Sequence, residues 1–293
     1  MVSERGWRTP AIVALFLAPS LVPLALFTLG PMVASLGLSF LRWDLLRAPT
    51  LIGLTNFTNL LGDSSFHAAI GHTLFFIAGY LPLVYLGGLG LSLALNQKLR
   101  ASSFFRAAYF LPVVTSWVVV ALVWKWLLNP QSGIVNFVLG LVGVSGPGWW
   151  TDPAWAMPAI ILASAWKDLG FVMIILLAGL QAIPEDYYEA AAVDGANRWR
   201  RFRHITLPLL SPASFFVLVI SLVNSFQVFD QVWVMTGGGP AGATSVVVEQ
   251  IVQDAFRYSQ MGYAAAMSWV LFIAILVITF IQFRLQRRWV NYA

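Results

Sequence analysis

The chain has 293 residues and no cysteine, 59% of its residues are hydrophobic and only 10% are charged, with a mean hydropathy of +0.79; a soluble domain carries about 25% charged residues. That excludes an ordinary water-soluble enzyme, a disulfide scaffold, a thiolate metal site and a cysteine nucleophile, and makes lipid the natural solvent for most of the chain. The net charge is +5, so the question becomes where the charges sit.

A membrane-crossing helix needs about 20 apolar residues with few charges. Six stretches qualify, at 11–40, 69–95, 107–128, 155–181, 209–235 and 262–283. The first holds Pro19, Pro23 and Pro31 and is expected to be kinked or tilted. Arg5 and Arg8 precede it as in a secretory signal, but the apolar stretch exceeds the usual length and five more follow, which predicts an uncleaved first helix.

Lys and Arg collect on the cytoplasmic side of short loops. With the N-terminus inside, Arg5, Arg8, Lys98, Arg100, Arg106, Arg198, Arg200, Arg201, Arg203, Arg284, Arg287 and Arg288 are all cytoplasmic, twelve of the 17 basic residues. Arg42, Arg47 and Arg257 fall in outer loops, Lys125 and Lys167 within helices, and the middle outer loop, 129–154, has none. An odd number of spans would put basic clusters on both sides. The expectation is therefore six spans, both termini cytoplasmic and one transmembrane domain over 1–293. Because the basic residues flank helices and form no extended cationic face, nucleic-acid binding is not expected.

Catalytic signatures are missing. Gly87-Gly88-Leu89-Gly90 lacks the Lys and the strand-to-helix setting of a phosphate loop and reads as a small-residue face for helix packing. His67, His72 and His204 are scattered without partners at metal spacing. Trp149, Trp150 and Trp155 cluster where an interfacial belt is expected. The sequon Asn56-Phe57-Thr58 is too common a pattern to carry weight.

Two places stand out. The segment 184–208 opens with Pro184 and acidic residues, continues through Ala190 to Ala192 and stops at Gly195, which predicts one short helix and then a second running to a break at Pro208. Such a pair can be a knob for a partner protein or an interfacial helix held to anionic lipid by its four arginines. Within the spans, Lys167 and Asp168 lie near the middle of the fourth; an ionisable residue there costs about 2.5–3.5 kcal/mol on insertion scales and so faces an aqueous path or another helix. Neighbours on a helix point about 100° apart, so these two are not expected to pair with each other; the expectation is that one faces the pathway while the other binds a neighbouring helix. Asn224, Gln227 and Gln231 form a polar stripe on the fifth span beside Ser225 and Asp230, and the third offers the flat ring of Trp117.

Glu189-Ala190-Ala191, then Gly195, then Ile205-x-Leu207-Pro208, resembles the EAA loop of the membrane subunits of binding-protein-dependent ABC importers, with complete spacing over twenty positions. Ala182-Ile183-Pro184, Val193-Asp194-Gly195-Ala196, Leu207-Pro208-Leu209-Leu210, Met235-Thr236-Gly237-Gly238-Gly239-Pro240, Arg42-Trp43-Asp44 and Gly53-Leu54-Thr55-Asn56-Phe57 are similar to the carbohydrate branch, which includes the maltose, multiple-sugar and glycerol-3-phosphate systems. Without the extra N-terminal helices and external insertion of the maltose permease, the chain looks like the six-helix members.

The resemblance implies an all-α, polytopic type I ABC importer permease fold and a coupling helix at 184–208. Glu189, Ala190, Ala191, Asp194, Gly195, Ile205, Leu207 and Pro208 would meet a separate ATPase: Glu189 through a cationic group, Ala190 and Ala191 by close packing, Gly195 by turning the chain. It places the family's substrate contacts at Val113 and Trp117, at Ser164, Lys167, Asp168 and Phe171, and at Asn224, Ser225 and Val228; Gln227 joins them from the polar stripe. The implied partners are a second, homologous permease subunit in a heterodimer, two ATPase subunits binding ATP and Mg, and an extracytoplasmic solute-binding protein. The chain itself would hold no cofactor or metal and hydrolyse nothing. The implied setting is the cytoplasmic membrane of a prokaryote and the implied cargo a small sugar or polyol. The alternative is an ion-coupled secondary transporter with Lys167 and Asp168 as relay, for which internal repeats would be expected.

Overall fold

The apolar runs do not map one to one onto helices, and prolines do not mark the boundaries: Pro19, Pro23, Pro82, Pro112, Pro158 and Pro212 all lie inside helices. The computed structural model describes residues 8–97 and 102–291; Arg5, Lys98 and Arg100, three of the basic residues used for orientation, lie outside them. In chain order the helices are α1 (Arg8–Leu24), α2 (Gly30–Ser39), α3 (Thr55–Gly62), α4 (Ser64–Leu95), α5 (Ser102–Val114), α6 (Trp117–Leu127), α7 (Ile134–Leu141), α8 (Pro153–Gln181), α9 (Asp186–Val193), α10 (Arg198–Arg201), α11 (Leu207–Phe226), α12 (Asp230–Met235), α13 (Val247–Val252) and α14 (Met261–Trp289). Among the described residues the sheet content is one antiparallel pair, β1 (Leu41–Arg42) and β2 (Thr50–Leu51), with Leu41 opposite Leu51 and Arg42 opposite Thr50.

Among the described residues, five helical stretches are long and apolar enough to cross a membrane: Ile12–Ser39, Ser64–Leu95, Pro153–Gln181, Arg198–Phe226 and Met261–Trp289. The sixth candidate is not one rod. Where the sequence predicts a single helix over 107–128, α5 and α6 meet at Thr115 and Ser116 and bend by 101°. Pro112 cannot donate to the carbonyl one turn back and crowds it. The break at 115–116 separately leaves carbonyls at the end of α5 without their in-helix donors, and side chains supply them: the Thr115 hydroxyl reaches Leu111 O at 3.1 Å and Lys167 Nζ reaches Val113 O at 3.0 Å.

Two further boundaries differ from expectation. Pro208 does not break the chain, because a π-turn at Phe202–Thr206 joins α10 to α11, with the Leu207 N–H donating to Phe202 O. The extra residue in that turn moves the proline ring off the carbonyl it would otherwise strike; a like turn, Ala25–Leu29, precedes Pro31. The predicted fifth span, 209–235, instead ends at Phe226, and α12 begins separately at Asp230. Asn224, Gln227 and Gln231 therefore do not form a stripe on one helix.

The described residues divide into two compact units, one within 1–62 and 251–270, the other within 63–250 and 271–293. In the first, buried Asn56 is a staple: its amide donates to Ser39 O at 2.9 Å and to Leu41 O at 3.0 Å, so the sequon asparagine is spent on structure. The Met261 N–H donates to Trp43 O at 3.1 Å, and Trp269 Nε1–H to the Ser35 hydroxyl at 3.2 Å. Backbone N–H groups of Arg47 and Leu46 donate to Asp44 and hold its carboxyl below the usual range.

The second unit is organised around α8. Its buried Ile160, Val172, Leu176 and Leu180 pack with Phe76, Tyr80, Val84 and Leu89 of α4 and with Leu210 and Val217 of α11. Small residues allow the close approach. A Cβ on Gly87 would lie 2.6 Å from Leu169 Cδ2, and one on Gly88 would overlap Val172, whereas Gly90 has nothing within 4 Å. Two of the three glycines of 87–90 thus form the packing face.

Candidate functional site

The segment after α8 folds as a short capped helix standing clear of its surroundings. Asp186 and Glu189 lie in the first turn of α9, where the helix dipole favours negative charge. At the other end Gly195 has φ +74°; its N–H donates to Ala192 O at 3.1 Å and that of Ala196 to Ala191 O at 2.9 Å. This pairing satisfies the terminal carbonyls and needs a left-handed residue at the glycine position. Asn197 then caps α10 by accepting from the Arg200 N–H at 2.9 Å. Glu189, Ala190, Asp194 and Gly195 are exposed, Ala191 is half-buried, and Ile205, Leu207 and Pro208 are half-buried at the base of α11.

One hydrogen bond, Tyr188 Oη to Thr206 Oγ1 at 3.0 Å, ties α9 to that base. Ser211, one turn further on, donates to Pro208 O at 2.6 Å and accepts from the Asn291 N–H at 2.9 Å. The knob is thus attached to the foot of a long helix. Substituting Gly195→Val is expected to cost about 1–2 kcal/mol for the left-handed backbone and to fray α9. A several-fold faster tryptic cut at Arg198 in the purified protein would report it, and an unchanged rate would argue against the cap.

The midpoint of α8 brings together part of the predicted pathway. Lys167 is only 5% exposed; its Nζ meets the Val113 carbonyl at the end of α5 and lies 4.9 Å from the Trp117 ring centroid at the start of α6. Val113, Trp117 and Lys167 therefore form one cluster at the 101° bend, with the ammonium on the π face of the indole. Asp168 turns elsewhere and accepts from the Tyr80 hydroxyl at 2.8 Å. The two adjacent charges do not pair with each other, as their helical offset leads one to expect, but both, and not one alone, are taken up by neighbouring helices.

Lys167→Met leaves the Val113 carbonyl without its donor, at a cost of about 1–3 kcal/mol for a buried acceptor. A lower melting temperature in detergent is expected, partly restored in Lys167→Arg. Wild-type melting of the methionine variant would remove the latch.

Other predicted positions are not gathered there. Ser164 is fully buried and receives Gln231 Nε2 at 3.4 Å, Phe171 packs on the core, and Ser225 is buried and donates back to Ser221 O at 2.5 Å. Val228 is buried, while Asn224 and Gln227 are exposed. Tyr80 was missed by sequence reasoning, although a tyrosine in an apolar span is a visible signal. So was the clasp on Lys125, whose Nζ lies 3.4 Å from Val234 O and 5.2 Å from the Trp150 ring centroid, while Trp150 Nε1–H donates to Lys125 O at 3.2 Å.

The glycine-rich stretch after α12 proves to be a cradle. Glu249 is fully buried and accepts from the Ser245 hydroxyl at 2.7 Å. A Cβ on Gly238 would lie 2.9 Å from its Oε1. The Thr236 and Thr244 hydroxyls, 2.7 Å apart, close the turn, and Thr244 donates to Gly239 O at 2.6 Å.

Residues 86–291 match the family described as binding-protein-dependent transport system inner membrane component. The chain is 37% identical over 282 residues to the probable ABC transporter permease protein YesP of Bacillus subtilis, covering 94% of this chain and 91% of the relative. It is 32% identical to the trehalose/maltose transport system permease protein MalF of Thermococcus litoralis, covering 98% and 97%. A similar fold is found in the crystal structure of a bacterial alginate ABC transporter in complex with an alginate pentasaccharide-bound periplasmic protein, at TM-score 0.85 and 26% identity over 97% of this chain and 98% of that one. Nothing in these likenesses supports the ion-coupled carrier, and Lys167 and Asp168 each have a structural partner. With the match spanning most of its length and relatives above 30% identity along nearly all of it, the chain belongs to the binding-protein-dependent transport system inner membrane components, as an integral-membrane permease subunit of an ABC importer.

Proposed function

We propose that this permease carries a sugar or related polyol across the cytoplasmic membrane of a prokaryote, with both termini facing the cytoplasm. It pairs with a second, homologous permease subunit and is driven by two ATPase subunits that bind ATP and Mg. An extracytoplasmic solute-binding protein delivers the cargo to the outer loops. This chain holds no cofactor and hydrolyses nothing.

The observation that carries the reading is the exposed α9, closed at its C-terminus by Gly195, with Glu189 on its surface and tied through Tyr188 and Thr206 to the foot of α11. A push on such a knob is transmitted to a long helix, not absorbed by a slack loop. The saccharide cargoes named for the relatives support a sugar, and Trp117 beside Lys167 supplies a flat ring and a cation near the middle of the membrane. Val113, Ser164, Asp168, Phe171, Asn224, Ser225, Gln227 and Val228 complete the proposed path, with rearrangement needed to expose the buried ones.

The test is to co-purify the complex, identify its binding protein and screen neutral sugars and phosphorylated polyols for thermal stabilisation of that protein. A ligand at 100 times its dissociation constant stabilises by about 2.7 kcal/mol, a shift of several degrees. Stabilisation by saccharides or polyols is expected; stabilisation by amino acids or metal ions alone would overturn the cargo assignment.

A further inference from the structure

Between α6 and α8 the chain passes through residues 129–151 without one Asp, Glu, Lys or Arg. Within this connection α7 presents Ile134, Phe137, Val138 and Leu141 outward, all between 51% and 71% exposed. Their spacing of three and four makes one helix face, and Val142 and Val144, also exposed, extend it. The one polar side chain in 134–144 is Asn136, and it points the other way. Its amide donates to Pro130 O and Pro147 O, both at 3.1 Å, and its Oδ1 accepts from Trp149 Nε1–H at 2.6 Å. Gly146 lies directly against it, leaving no room for a Cβ. The apolar face is therefore held outward by a fully used asparagine and is not a floppy tip.

A contiguous apolar face of this kind is disfavoured in water. The helix has 8 residues, about 12 Å at 1.5 Å per residue, too short to cross an apolar layer of about 30 Å. Its flanks are exposed tryptophans, Trp126 at the end of α6 and Trp155 at the start of α8, the residue type that settles at headgroup level. The face is thus continuous in sequence with two apolar helices, each with an exposed tryptophan at the junction. A water-soluble partner would leave it unmatched in polarity.

We propose that α7 lies in the plane of the membrane where the α6–α8 connection emerges, with its Phe137 and Leu141 face among the acyl chains of that leaflet. The connection rides on the bilayer instead of projecting into water. Through Trp149 on Asn136, and through neighbouring Trp150 on Lys125, this anchor also holds the end of α6, the helix that begins at the 101° bend. Lacking basic residues, the anchor depends on apolar contact alone and is indifferent to the anionic lipid content.

The cysteine-free chain allows a direct test. Phe137→Cys, Leu141→Cys and, as an aqueous control, Gln131→Cys are each spin-labelled in the assembled transporter. The complex is reconstituted in vesicles of phosphatidylcholine with or without phosphatidylglycerol. Collision with oxygen and with a water-soluble nickel chelate is then measured. Oxygen accessibility at 137 and 141 several-fold above that of the chelate, with the reverse at 131 and the same ratios in both lipids, is the expected result. Chelate accessibility at 137 and 141 equal to that at 131 would place the face in water. Low accessibility to both would place it against a protein subunit. Either outcome overturns the proposal.

Discussion

Glu189→Ala is expected to leave the permease inserted and assembled as a folded chain while reducing transport and transport-coupled ATP hydrolysis at least about tenfold. An exposed carboxylate in a surface pair contributes about 0–1 kcal/mol, so if Glu189 stayed in water its loss would scarcely register. Truncating one partner of a charge pair buried in an interface costs about 2–5 kcal/mol, and 1.4 kcal/mol already corresponds to tenfold in affinity. The size of the effect therefore separates a solvated face from a docked one. Because Glu189 has no role in the core of this chain, α9 should keep its fold: its caps are Gly195 and the backbone of Ala190 to Ala192. Glu189→Gln, which keeps a polar group without the charge, should fall between. Normal transport by the alanine variant would sink the coupling assignment, and loss of the inserted protein would sink the claim that Glu189 is not structural.

Gly170→Leu should prevent the permease from reaching its folded state in detergent or membrane. At this point α8 crosses α5 so closely that a Cβ would overlap the Tyr109 carbonyl and lie 3.0 Å from Phe110 Cα. These are backbone atoms of a helix and cannot swing aside as a side-chain terminus can. Overpacking typically costs about 1–3 kcal/mol, and a rigid neighbour puts this site at or above the upper end. The crossing also sets the height of Lys167 relative to Val113, so any variant that survives should lose the latch across the 115–116 bend. Gly90→Ala is the control: its Cβ meets nothing within 4 Å, and alanine is the better helix former by about 1 kcal/mol. Fluorescence-detected size exclusion and melting of the two variants give the comparison. Equal stability would show that the α5–α8 crossing is not close-packed.

These two sites differ in how far they could be read beforehand. The EAA spacing is local: a helix start at Pro184, a stop at Gly195 and a carboxylate between them lie within a dozen residues, so propensity and capping suffice to outline α9. Gly170 carries no such signal, since its meaning depends on a helix some 60 positions earlier in the chain. The polar stripe of the fifth span failed for the same reason. Periodicity assumes a continuous helix, and the break at Gln227 to Phe229 moves Gln231 onto α12, where it meets Ser164.

Lys167 and Asp168 lie between these extremes. Their cost in lipid and their angular offset follow from the sequence, and so does the expectation that they do not pair with each other. That those partners are the loosened carbonyl of a bent helix and a tyrosine on α4 does not. Likewise, the glycines of 237–239 resemble a family motif on paper, but only packing shows Gly238 making room for buried Glu249.

The sequence by itself determined the solvent, the helical class, the approximate apolar stretches and the family, because hydrophobicity, helix capping and a twenty-position motif are properties of neighbouring residues. Tertiary structure alone decided where those stretches bend and which buried polar groups satisfy one another. A broken helix exposes backbone carbonyls that must find a donor, and that donor, here Lys167, comes from whichever distant helix packs alongside.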